Sequence, residues 1–356
     1  MQVDIKTSDV RPIRQTFSHV ARHIGGDKPA SRYQEATLGM QPMVNFHYRP
    51  LWEPERELYD RRRTAIQMAD WYIFKDPRHF YYGVYTMTRA KQQEGADCQF
   101  EFADKHRLIT QSDEATRASI QQVLMPLRHY EWGANMNNDY VCAYGFGTAI
   151  TQPCIFAAMD RLGIAQYLSR LGLQLDGNQG KSLAAGKQAW LEMPAWQGVR
   201  RMMENLFVTK DWFELFLAQN LVFDGLIFPL VYRQYINAVS PATGNGLAMV
   251  TEFMSDWHDE TTRWVDATVK TAADESAANA QQLAQWYRVW RDEMARAVEP
   301  LAALALGSAG SDALATIRAD LDARAERLGI KAKAAAAAPT AVNPPAPIAA
   351  VAGAAA

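Results

Sequence analysis

The chain has 356 residues, 48% of them hydrophobic and 21% charged, which is enough to bury a large core as two domains or as one unusually large helical one. A formal charge of -2, with no cluster of Lys and Arg interleaved with aromatics, argues against a nucleic-acid partner. Cys98, Cys142 and Cys154 form no C-x-x-C pair, so neither a disulfide framework nor a structural zinc site is indicated, and a reducing cytoplasm fits.

Residues 1–57 read as an extended N-terminal arm. The opening Met1-Gln2-Val3-Asp4-Ile5-Lys6 lacks the apolar core of a leader peptide, and Pro12, Pro29, Pro42, Pro50 and Pro54 leave room only for a short helix near Thr16 to Ile24, stopped by Gly25-Gly26. Tyr33, Phe46, Tyr48 and Trp52 are more aromatic than a free tail carries, so the arm is expected to pack on its own domain or on another chain. Glu55 to Met68 has Leu58, Ala65 and Ile66 at helical spacing, and Pro77 precedes the aromatic run Phe80 to Tyr85, which needs burial.

A helical period continues from Phe100 to about Arg128, with Asp113 and Glu114 suited to a first turn and Pro126 placed to kink it. Tyr140, Ala143, Tyr144 and Phe146 extend a packed helical face. Gly172 to Gly186 reads as a loop whose glycines match neither the P-loop nor the dinucleotide fingerprint. Further helices are predicted at about 195–207, 211–237, 247–273, 275–305 and 311–328. No stretch reaches the roughly 20 uncharged apolar residues of a membrane span, and the most apolar run, Leu221 to Val231, holds Asp224 and Pro229 and reads as a buried core helix. Beyond Ile330 the Ala/Pro-rich residues 331–356 read as a disordered tail, leaving 58–330 as the folded domain. The whole predicts an all-α bundle of long helices.

Chemistry is scarce in this pattern. Carboxylate-bridged di-iron sites in helical bundles use two inward carboxylates and two Glu-x-x-His pairs, and no Glu here is followed by His three residues later. Of the seven histidines only His19 and His23 share a helical face at ligand spacing, and no Gly-x-Ser-x-Gly elbow occurs. Composition and spacing stop at a large helical protein without a catalytic constellation.

Arg32-Tyr33-Gln34-Glu35-Ala36, Asn45-Phe46-His47-Tyr48-Arg49-Pro50, Asp76-Pro77-Arg78, Phe80-Tyr81-Tyr82-Gly83 and Val222-Phe223-Asp224-Gly225 together resemble the hydroxylase β subunit of bacterial multicomponent phenol hydroxylases. The match runs to about residue 330, and related β subunits serve toluene, alkene and soluble methane monooxygenases. The resemblance implies a ferritin-like (ribonucleotide-reductase-like) fold and a chain with no metal, cofactor or catalytic residue of its own. It also implies a partner α subunit that carries the di-iron centre and hydroxylates phenol with O2 and NADH-derived electrons. The implied assembly has two α, two β and two γ chains, served by a regulatory effector protein and a reductase.

Set against the metal-binding pattern of such α subunits, Met159 to Ile164 matches the first motif with Arg161 for Glu and Ile164 for His, and Ser255 to Glu260 the second with Trp257 and Glu260 in those places. The remaining carboxylates fall at Glu131 and Asp224. Arg161 is then expected to pair with Glu131 or Asp224 in place of the lost cation, and Tyr33, Phe46, Tyr48 and Trp52 to contact α. The alternatives are a di-metal carboxylate oxidoreductase with an atypical site of its own and an unrelated helical interaction module.

Overall fold

The computed structural model describes residues 16–26, 28–41, 49 and 51–330, and regular structure among them is helical throughout. Phe46, Tyr48 and the tail after Ile330 lie outside the described residues. Two short helices come first, α1 (Ser18–Ile24) and α2 (Arg32–Thr37). α2 opens on a capping box: the Ser31 hydroxyl accepts from Gln34 N at 3.2 Å while Gln34 Oε1 accepts from Ser31 N at 2.9 Å.

The arm folds back on its own bundle at these points. Gln41 Nε2 donates to the Gly145 carbonyl at 3.1 Å, and the Gln152 side chain donates to the Thr37 hydroxyl, also at 3.1 Å. Tyr33 is half-buried, its hydroxyl accepting from Asp76 N at 2.9 Å and its ring stacking on His79 at 5.0 Å. Tyr33 is therefore anchored within this chain, the first of the two packings expected of the arm, whereas Trp52 is 73% exposed.

The helical spacing of Glu55 to Met68 does not become a helix. Only short 3-10 turns form, at Arg61–Arg63 and Trp71–Ile73, and the segment lies as a strap across the bundle. Its backbone donors are satisfied by distant side chains: Ala65 N donates to Asp211 at 2.7 Å, Gln67 N to Asn279 at 3.1 Å and Ala69 N to Glu275 at 2.8 Å. Trp71 buries its ring 5.4 Å from that of Trp212.

The bundle proper begins with α3 (Tyr82–Lys105) and α4 (Glu114–Leu124), so the predicted helix from Phe100 to Arg128 is split. Asp113 caps α4 by accepting from Thr116 N at 2.7 Å. Pro126 then separates α4 from α5 (Leu127–Tyr144), which the three residues 145–147 turn back into α6 (Thr148–Leu175). α7 (Lys181–Glu192) and α8 (Pro194–Phe207) follow. Gly172 and Gly186, expected in a loop, lie inside α6 and α7, and the turn occupies only the residues between, where Gly177 and Gly180 have φ of 64° and 74°.

Residues 212–239 form one rod of changing pitch: α9 (Trp212–Phe216), a π-helical segment Leu217–Phe223, α10 (Asp224–Phe228), a second π segment Pro229–Tyr235 and α11 (Ile236–Val239). Pro229 has no N–H to donate to the preceding turn, so the regular ladder opens there. In the first π segment the wider turn lets the consecutive Gln219 and Asn220 both point into the core, where both are buried. α12 (Gly246–Glu275), α13 (Ala277–Leu306) and α14 (Gly310–Arg327) complete the bundle.

The rod is the axis, flanked by α5, α12, α13 and α14, and α5 packs most extensively on α6. α8 and α13 approach closely because Gly198 has no Cβ, which would overlap the Ala297 carbonyl. Trp196, Trp212, Trp257 and Trp264 are fully buried. The Trp212–Thr243 stretch does reach the length and hydropathy of a membrane span, as does Ala277–Arg327, correcting the sequence expectation; 94% of the most apolar window of the first is buried inside the bundle.

Candidate functional site

Four elements bring charges to the bundle centre. α5 contributes Tyr130 and Glu131, α6 Asp160 and Arg161, α10 Asp224 at its first residue, and α12 Trp257, His258 and Glu260. Arg161 is fully buried; its Nη1 donates to Glu131 Oε2 at 3.0 Å, and its Nη2 donates to Asp224 Oδ2. It therefore pairs with both carboxylates and not with one. Asp224 Oδ1 also accepts from the Tyr130 hydroxyl at 2.7 Å and from Gln219 Nε2 at 3.0 Å, and Gln219 Oε1 accepts from Asn137 Nδ2 at 2.8 Å. Trp257 closes the cluster from below, its ring centre 4.5 Å from the Arg161 guanidinium carbon.

Glu260 is elsewhere. It lies one turn along α12 from Trp257, accepting from Arg89 Nη2 at 2.8 Å and facing Arg78 Nη1 at 3.5 Å. Arg89 also binds Asp160 with two hydrogen bonds, at 2.8 and 2.7 Å. Asp160 further accepts from the Tyr85 hydroxyl at 2.9 Å and from Trp257 Nε1 at 2.8 Å. Arg78 grips Asp76 through two bonds at 2.9 and 3.0 Å. Trp257 thus joins an inner cluster around Arg161 to an outer one around Arg89, touching the first by its ring face and the second by its N–H. Ile164 is buried one turn beyond Arg161 and presents only hydrocarbon.

Glu131, Arg161, Asp224 and Trp257 are the predicted positions that come together. Arg89, Tyr130, Gln219 and His258 also belong to the site and carry no local sequence signal; Asp160 carries one, as a charge beside Arg161 in an apolar run.

Burial pushes the Glu131 carboxyl up to about 7, with Arg161 opposing and Asp224 reinforcing the shift. For Arg161 burial acts downward, but Asp224 and Glu131 together hold the guanidinium above its ordinary range. His258 stacks on Phe228 at 4.9 Å, and burial, then Arg324, Arg233 and Arg161, push it down to about 3. The unfolded chain protonates His258 near pH 6.5, the native chain only near 3, so its contribution to stability is lost as pH falls through that interval. Glu131 has the opposite sign, native 7 against 4.5, so its contribution is lost as pH rises between those values. The stability advantage of the parent chain over His258→Phe should therefore grow by up to about 1.4 kcal/mol per pH unit from pH 4.5 to 6.5 in urea titrations. A pH-independent difference would argue that His258 is hydrated in the native state.

A di-metal centre does not fit these residues. A cation at this position would meet the fixed charge of Arg161, both facing carboxylates are already bonded to it, and Ile164 and Trp257 offer no ligand atoms. Among the described residues no group of three or more His, Cys, Asp or Glu side chains converges as a ligand set.

Long helices that send carboxylates inward from facing positions to one centre define the ferritin-like architecture. The chain belongs to the methane/phenol/alkene hydroxylase family, as a chain of the β-subunit type: residues 52–276 match the family described as Methane/Phenol/Alkene Hydroxylase. It is 48% identical to the DmpL oxygenase component of phenol 2-monooxygenase from Pseudomonas sp. (strain CF600), over 94% of this chain and 99% of that protein. It is 24% identical to the hydroxylase component subunit beta of the toluene-4-monooxygenase system of Ectopseudomonas mendocina, over 81% and 89% of the two chains. The crystal structure of xenon-pressurized phenol hydroxylase from Pseudomonas sp. OX1 superposes with a TM-score of 0.86 at 44% identity, covering 91% of this chain and 98% of that one.

Proposed function

We propose that this chain is the non-catalytic structural subunit of the hydroxylase component of a cytoplasmic di-iron phenol or aromatic monooxygenase. In this reading it supports an α-subunit dimer that hydroxylates phenol with O2 and NADH-derived electrons. The assembly contains two α, two β and two γ chains, and an effector protein and a reductase of the same system act on it. The chain holds no iron and contributes no catalytic residue.

The observation that carries the reading is Arg161, a positive charge bonded to two buried carboxylates at the bundle centre. Oxygen activation at this position would require displacing that charge. A subunit role is supported by the surface: Leu51 and Trp52 of the arm are 93% and 73% exposed, and Trp132 and Met136 of α5 and Met159 and Leu162 of α6, two helices that pack on each other, are exposed as well. Apolar side chains of this size concentrate on faces that another protein covers.

Two measurements test it. Metal analysis of the purified chain should give iron far below stoichiometry, and two irons per chain would make it a di-metal enzyme in its own right. An affinity-tagged chain should co-purify with a larger chain containing two Glu-x-x-His motifs, and Trp52→Ala should reduce the yield of that complex. Recovery of the tagged chain alone from cells that make the larger chain would remove the structural reading.

A further inference from the structure

The misfit between these residues and a di-metal centre is concentrated in one side chain. Everything around the Arg161 guanidinium is arranged as for a cation. Glu131 of α5 and Asp224 of α10 meet its two terminal nitrogens, Nη1 donating to Glu131 Oε2 at 3.0 Å and Nη2 to Asp224 Oδ2. Asp224 is held from behind, its Oδ1 accepting from the Tyr130 hydroxyl at 2.7 Å and from Gln219 Nε2 at 3.0 Å, which fixes the direction of the oxygen turned to Arg161. Glu131 is fully buried, and its other oxygen, Oε1, has no hydrogen-bond partner among the described residues. Two carboxylates thus face a single positive group, and one of them keeps an oxygen to spare.

We propose that Glu131 and Asp224 form a cation site in its own right, that Arg161 is its built-in occupant and bars metal ions from it, and that removing the guanidinium opens the same place to one hard divalent cation.

The donor atoms set the class of ion. With Arg161 cut back, Glu131 Oε1 and Oε2 and Asp224 Oδ2 are free to ligate, and the space the guanidinium leaves admits water for the remaining positions. Ligands that are all oxygen suit Mn2+ or Mg2+ and not a soft metal. A divalent ion also balances both carboxylates, where the guanidinium balances one. Trp257, with its ring centre 4.5 Å from the guanidinium carbon, and Ile164 offer no donor atoms, so a second ion has no ligands of its own.

The inference rests on the reading that the natural chain holds no iron, and the experiment separates the two. Full-length parent, Arg161→Ala and Arg161→Met chains are stripped of metal and titrated with MnCl2 alone. Bound Mn2+ is counted from the loss of the free-ion electron paramagnetic resonance signal, and urea unfolding is followed with and without the ion. Arg161→Ala should bind one Mn2+ per chain, and at a free concentration of about 100 times Kd its unfolding equilibrium constant should fall about 100-fold. The parent should bind none because the guanidinium holds the carboxylates, and Arg161→Met none because its side chain fills the space. Should Arg161→Ala fail to fold by itself, Mn2+ should restore its helical circular dichroism, since an ion that binds only the folded chain draws it to that state.

An Arg161→Ala chain that takes up no Mn2+, or that stays unfolded in millimolar Mn2+, overturns the inference. So does Mn2+ retained after Glu131→Gln and Asp224→Asn are added, because the ion then lies elsewhere. Stoichiometric iron in the purified parent chain removes the proposed function whatever the variants do, whereas an iron-free parent with an Mn2+-free Arg161→Ala removes the inference alone.

Discussion

Arg161→Met is expected to lower the unfolding free energy by about 3 to 5 kcal/mol at neutral pH. The side chain is fully buried and is the counter-charge for Glu131 and for Asp224, so its removal strands two carboxylates in a site without solvent. Methionine fills much of the same volume, so a cavity contributes little and the loss reports the charges. The triple variant Arg161→Met, Glu131→Gln, Asp224→Asn should recover more than half of it, because the amides need no counter-ion; Tyr130 and Gln219 keep a polar partner at position 224. Urea titrations of the three proteins decide the matter. A loss below about 1 kcal/mol in the single variant would falsify the buried-triad reading.

The second large effect is at Asp160, which sits at the hub of the outer cluster. Asp160→Ala removes the acceptor of two Arg89 hydrogen bonds and those of Tyr85 and Trp257, leaving buried donors unpaired. We expect a cost of about 3 kcal/mol, smaller than at Arg161 because Arg89 keeps Glu260. Arg89→Leu combined with Asp160→Ala should be less destabilised than the sum of the single changes, since the second substitution removes a charge the first had stranded. Strict additivity would mean that the two side chains do not share a network.

Helix positions were largely legible before the structure, and the exceptions have physical causes. α8, α12, α13 and α14 begin and end within a few residues of the apolar period, because each buries one stripe, α12, α13 and α14 against the rod and α8 against α13. Gly172 and Gly186 misled because glycine signals a turn by conformation but a helix contact by size. A Cβ on Gly172 would lie 2.6 Å from Met125 Sδ, and one on Gly186 2.5 Å from Met125 Cβ, so these glycines admit the junction between α4 and α5. The Glu55 to Met68 pattern failed because Ile66 and Met68 are buried from an irregular strap whose backbone is bonded to side chains of the bundle. At the centre Arg161 was visible only through the resemblance, which set it in the Glu position of the first motif of the α subunits. Its neighbours were less so: an ion pair between Arg89 and Asp160 spans 71 positions and leaves no periodic trace.

Asp160 and Arg161 are consecutive residues of α6, and successive helical side chains point about 100° apart. One reaches α3 and α12, the other α5 and α10, so a single turn of α6 is tied to four neighbours in different directions. Such a turn works as a rotational lock: rolling the helix to ease one set of bonds tears the other, and sliding it tears both. Helix shear, the cheap way for packed helices to transmit motion, is blocked at the middle of this chain. A mechanical signal crossing this chain must carry the bundle as one rigid piece or travel along its ends and its strap.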